Sequence, residues 1–199
     1  MSAVPAAARL SLEGRRVLVI GLSPVMNRNV VEPLLALGVA AKGTVQPDTA
    51  TTLFNARDFE LIVFGRGVLG PASDRLKRAF LAQSAEVRFV DAIGPVAVKQ
   101  TLSALTHDPR VPRLISGLSV VEEDEGVRVE AQVFVPCRLA LSVYRVVEHN
   151  VVPEVLIDQE VQVGRVAWQF DKHRLANPNS LLLVADDEEY WLHPFLGGG

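Results

Sequence analysis

A change of hydrophobic period at His107-Asp108-Pro109-Arg110-Val111-Pro112 limits what this chain can fold into more than any other feature. Before it, short continuous apolar runs alternate with stretches whose apolar residues recur at helical spacing. After it, apolar and polar residues alternate in steps of two, as in half-buried strands. The two patterns bury their apolar residues in different geometries, so they predict two modules. Their spans are a tail over 1–14, an α/β domain over 15–106, a linker over 107–112 and an all-β domain over 113–196. Charge changes at the same place. Residues 1–106 hold 12 Lys+Arg against 8 Asp+Glu, whereas residues 107–199 hold 8 against 15.

In the first module, Val17-Leu18-Val19-Ile20 and Phe59-Glu60-Leu61-Ile62-Val63-Phe64 read as strands covered on both faces, with weaker strands over 39–45 and 86–90. Helical patterns follow each strand: one after Ser23-Pro24 that stops at Gly38, one capped by Asp48, one from Pro71 to Ser84 and one from Val96 to Leu105. Four βα units joined by right-handed crossovers make a four-stranded parallel, doubly wound sheet of order 2-1-3-4. In the second module, Val127, Val129, Ala131, Val133 and Val135 alternate with Arg128, Glu130, Gln132 and Phe134. Six further stretches of this kind predict a seven-stranded antiparallel β-sandwich. One of its turns falls at Asn177-Pro178-Asn179, and Trp168 is the expected central core aromatic.

Motifs for chemistry are missing. The loop Gly21-Leu22-Ser23-Pro24 has one of the three glycines that a dinucleotide turn needs, and no Gly-Lys-Ser/Thr follows a strand. His107, His149, His173 and His193 lack metal-ligand spacing. Cys137 is the only cysteine, which excludes an internal disulfide and fits a reducing compartment. The acidic runs Glu122-Glu123-Asp124-Glu125 and Asp186-Asp187-Glu188-Glu189 read as solvated hairpin tips, and Gly197 to Gly199 as a frayed end. No catalytic residue, metal site or cofactor is expected. The mild overall acidity gives no grip on nucleic acid, no apolar run is long enough to span a bilayer, and a cytoplasmic location follows.

The alternation over 15–106 resembles flavodoxin-like and receiver-like domains, and 113–196 resembles an immunoglobulin-like or fibronectin-like sandwich. A phospho-receiver places carboxylates after its first strand and a phosphoacceptor Asp at the end of its third. Here those places hold Gly21-Leu22-Ser23 and Gly65-Arg66-Gly67, so the resemblance implies a degenerate pseudo-receiver without Mg²⁺ or acyl-phosphate chemistry.

Two functions follow as expectations. The first is a non-enzymatic two-domain interaction or regulatory module that assembles with another protein or with copies of itself. The second is a sensor or enzyme for an anionic small molecule or nucleotide. Its site would be the crevice at the carboxyl ends of the first and third strands, where strand order reverses. Ser23, Asn27 and Arg28 from one loop, Gly65, Arg66 and Gly67 from the other, and Asp91 nearby would wall it, with the arginines as anion forks.

Overall fold

The computed structural model describes residues 12–108, 110–124, 126–147, 150–171, 174–175 and 180–195. The tail over 1–11, Glu125, the turn at 177–179, the end at 197–199, and both His149 and His173 lie outside them. The chain divides into two compact units, Met1–His107 and Asp108–Gly199.

The first unit is the parallel sheet. Its strands β1 (Arg16–Ile20), β2 (Ala40–Thr44), β3 (Leu61–Gly65) and β4 (Arg88–Ala92) stand in the order β2-β1-β3-β4. Side chains alternate across β1 and β3. Val17, Val19, Leu61 and Val63 form one core with Val30 and Leu34 of α1 (Pro24–Ala36) and with Ala97 and Leu105 of α4 (Ala97–Thr106). Leu18, Ile20, Ile62 and Phe64, all fully buried, point to the opposite face, the side of α2 (Ala50–Leu53) and α3 (Pro71–Gln83). Both faces of β1 and β3 are therefore dry, which is why their sequence runs apolar without alternation. Leu12, inside the expected tail, is buried in the first core.

Several local expectations shift. Asp48 does not cap a helix: it sits in a 3₁₀ turn, Pro47–Thr49, with no side-chain cap bond there or at α2. α1 ends at Gly38, whose φ of 86° is the left-handed conformation that glycine adopts without steric cost. β4 runs one residue past Asp91, to Ala92.

Among its described residues the second unit has seven strands in two antiparallel sheets. β5 (Ile115–Glu123), β6 (Gly126–Val133) and β9 (Gly164–Asp171) form one, in the order β5-β6-β9. β7 (Cys137–Val147), β8 (Asn150–Val161), β10 (Ser180–Ala185) and β11 (Glu189–Pro194) form the other, in the order β11-β10-β7-β8. The constant-type immunoglobulin arrangement keeps its fourth strand with the first, second and fifth; here the fourth, β8, pairs with the third. The core between the sheets is aliphatic, with Val129, Val133, Leu139, Leu141, Val143, Leu181 and Leu183 fully buried. Trp168 packs only at its margin, and Phe170, two residues on along the same face of β9, is the buried aromatic of that strand.

The outward face of the three-stranded sheet carries a charge ladder. The Glu130 carboxylate, on a side chain only 10% exposed, is hydrogen-bonded by Arg165. It also lies 3.3 Å from Arg128, which in turn is 3.1 Å from Glu123. The Arg165 hydrogen bond, helped by the field of Arg128, holds the Glu130 carboxyl below its ordinary value of 4.5. A depressed folded value means that this stabilisation is complete above the unfolded value and is lost as pH falls through the folded one. Acid unfolding of Glu130→Gln, followed by tryptophan fluorescence, is therefore expected to be less steep below pH 4.5 than that of the parent. Superimposable acid slopes would refute the assignment.

Candidate functional site

The carboxyl end of the parallel sheet is organised by α1. Ser23 caps the helix, its hydroxyl accepting from the Met26 amide at 3.3 Å, and Pro24 follows in the first turn, where a missing N–H costs nothing. One turn on, the Asn27 side-chain amide donates to the carbonyls of Val19 and Thr44, both at 3.1 Å. It thus clips the ends of β1 and β2 together. A glycine must face it: a Cβ on Gly43 would stand 2.0 Å from Asn27 Oδ1.

Two apolar side chains from the same segment reach across the sheet end. Leu22 rests on Gly67, where a Cβ would meet its Cδ1 at 3.0 Å, and Met26 rests on Gly94, where a Cβ would meet its Cε at 2.2 Å. Neither contact buries the side chain. Leu22 is 56% exposed, Met26 41% and the adjacent Val25 63%. The crest over the ends of β1, β3 and β4 is therefore apolar.

The seven residues expected at the site are only partly brought together. Ser23, Asn27, Gly65 and Gly67 gather around the end of β1; a Cβ on Gly65 would lie 3.6 Å from the Ile20 carbonyl. Arg28 is on the other side, in a shallow groove of about 370 Å³ between α1 and β2 lined by Asn27, Val31, Glu32, Gly43 and Thr44. Its guanidinium is 3.9 Å from Glu32, one turn on, and both side chains are well exposed. Arg66 follows β3 and is half-buried, so β1 stands between the two arginines. Asp91 pairs with Lys77 of α3 at 2.8 Å. That ammonium also lies 5.5 Å from the Phe64 ring centroid, a cation–π contact, while Asp91 Oδ1 is buried without a hydrogen-bond partner.

Lys77 and the crest residues Leu22 and Met26 were not legible as a group. Lys77 has only the generic signature of a surface helix, and Leu22 and Met26 acquire meaning only once Gly67 and Gly94 are seen beneath them.

The acidic run at 186–189 ties its hairpin to the rest of the second unit. Asp186 and Asp187 have φ of 50° and 57°, a left-handed backbone that aspartate tolerates better than most residues. Asp186 accepts from the Arg138 amide at 2.8 Å, Asp187 from the Tyr190 hydroxyl at 2.8 Å. Glu189 is buried, its carboxylate accepting from the Leu114 amide at 2.7 Å and the Ile115 amide at 3.4 Å. Among the described residues no group of three or more His, Cys, Asp or Glu is placed to hold a metal ion. His193 is half-buried with its ring edge-on to Phe195, and burial pulls its pKa down. Burial also pushes the Cys137 thiol up, away from the reactive thiolate. No helix among the described residues is long and apolar enough to cross a membrane.

No protein-family model and no curated protein matches the chain. Among solved structures it is similar to a catalytically inactive OgpA from Akkermansia muciniphila in complex with an O-glycopeptide (glycodrosocin) substrate. That match has 10% identity and a TM-score of 0.29, over 93% of this chain and 92% of that one. The wild-type OgpA from the same organism matches at 9% identity and a TM-score of 0.30, over 93% of each chain. Likeness at that level carries no argument.

Proposed function

We propose that this chain is a non-enzymatic interaction module that assembles with other copies of itself. The apolar crest carries the reading. Three large apolar side chains, Leu22, Val25 and Met26, stand exposed together at the end of a sheet where α/β folds bind their partners. An anion would find no pair of converging guanidinium groups there, whereas a protein surface would gain from covering these side chains at roughly 25 cal/mol per Å² of apolar area removed from water. Electrostatics favours a second copy as the partner. The first unit carries a surplus of cations and the second a surplus of carboxylates, so head-to-tail encounters between copies are attractive and like-to-like encounters repulsive.

Sedimentation velocity tests this. The parent chain is expected to associate at about 0.05 M salt and to dissociate toward monomer at about 0.5 M, where the Debye length falls below about 5 Å. Leu22→Ser/Met26→Ser, which removes exposed apolar surface and leaves the core intact, is expected to weaken association about tenfold at either salt. A monomer under all conditions, or variants that associate like the parent, would sink the reading.

A further inference from the structure

The longest strand among the described residues is also an edge. β8 has 12 residues, closes one side of the four-stranded sheet and, among the described residues, pairs with β7 alone. Among the described residues no backbone hydrogen bond outside that ladder reaches 150–161. A row of edge amides and carbonyls is a template for another strand. Two of its side chains, Val152 at 47% and Val155 at 59%, are exposed apolar surface.

Charge decides what can pair there. β8 holds Glu154, Asp158 and Glu160 and no lysine or arginine. Arg145 of β7 engages Glu154, and Arg138 of β7 holds Asp158 at 2.6 Å, while Glu160 has no ion pair among the described residues. The surplus is negative, in a unit that is itself acidic. Pairing with the same strand of a second copy is disfavoured. An antiparallel register centred on Gln159 would set Asp158 opposite Glu160 on the outer face that they share. Like charges directly opposite destabilise a pair. Pro153, which has no N–H to donate, and the irregularity at Leu141/Ser142, where β8 carries an extra residue, further reject an indiscriminate strand. These are devices against self-pairing that leave a complementary partner unopposed.

From this geometry we infer that the β8 edge, 150–161, is a docking strand for an extended segment of another protein in which basic residues alternate with apolar ones. The segment adds a fifth strand to the sheet, its cations meeting Asp158 and Glu160 on the outer face and its apolar side chains meeting Val152 on the other. This assignment rests on the chain being an interaction module, but it uses a different surface from the crest.

The test uses the full chain and two synthetic twelve-residue peptides, matched to β8 in length. One alternates lysine with valine and threonine, and the other replaces each lysine by glutamate. Amide hydrogen exchange is followed across 150–161. With the lysine peptide, exchange there is expected to slow about tenfold at about 0.05 M salt and to recover at about 0.5 M; the glutamate peptide is expected to leave it unchanged. Asp158→Lys/Glu160→Lys, both at exposed positions of one face, is expected to reverse the preference. Equal effects of the two peptides, no slowing with either, slowing confined to other strands, or a preference that survives the charge reversal would each overturn the assignment. The crest variant Leu22→Ser/Met26→Ser separates the two readings. It is expected to lose self-association and keep peptide binding, and a failure of one function without the other shows which has fallen.

Discussion

Gly43→Ala is expected to destabilise the first unit by about 1–2 kcal/mol in the presence of Asn27 and by almost nothing in its absence. The added Cβ would stand 2.0 Å from Asn27 Oδ1 and 3.0 Å from a Val31 methyl. The asparagine would have to leave, breaking its bonds to the Val19 and Thr44 carbonyls. Two neutral hydrogen bonds contribute about 1 kcal/mol each, and Asn27→Ala alone should cost about 2 kcal/mol. The double variant should cost no more than Asn27→Ala, because the alanine then enters space that the amide has vacated. Both tryptophans and both tyrosines lie in the second unit, so the cycle is read by helical circular dichroism during urea unfolding. If the two substitutions add, the amide does not hold the strand ends together as described.

A larger effect is expected at Glu189. Its carboxylate leaves the edge strand β11 and takes the amides of Leu114 and Ile115, where β5 begins at the edge of the opposite sheet. One side chain thus ties the two sheets, and its burial means that water does not readily replace it. Hydrogen bonds to a charged group contribute about 1.5–3 kcal/mol. Glu189→Ala should therefore cost the second unit about 3 kcal/mol, with one half-buried and one buried amide left to find new partners. Glu189→Gln, which keeps an acceptor for Leu114, should lose about half of that. Trp168 and Trp191 fluorescence reads the transition directly. A loss below about 1 kcal/mol for the alanine variant would show that the amides are served by water instead.

The strand order β2-β1-β3-β4 and the seven-strand count were legible because hydrophobic period reports how many faces of a strand are buried. Val17 to Ile20 runs apolar without interruption since both faces are covered; Val127 to Val133 alternates since one is not. Sheet membership in the sandwich was not legible. Nothing local to β8 states whether it joins β7 or β9, because that choice is made by packing across the whole unit. Trp168 was overrated in the same way: its size argues for the central position, which Phe170, two residues on along the same face of β9, takes instead. At the candidate site, residue type alone was misleading. Arg28 and Arg66 read as a converging pair because both follow buried strands or their loops, yet the helical turn that carries Arg28 beside β2 puts β1 between them. Asp91 was taken up by Lys77, a contact between a helix and a strand that no spacing along the chain announces.

The glycines under the crest carry a last consequence. Neither Gly67 nor Gly94 is among the glycines with positive φ, so an L-residue could adopt their backbone. What requires glycine there is the volume occupied by Leu22 and Met26. At Gly94 the obstructing atom is the free end of a flexible methionine, so a methyl group there would evict it into solvent at little cost to folding. Single substitutions beneath the crest can therefore reshape what it presents without passing through an unstable intermediate. A surface used for recognition can in this way change its partner while the fold that supports it stays the same.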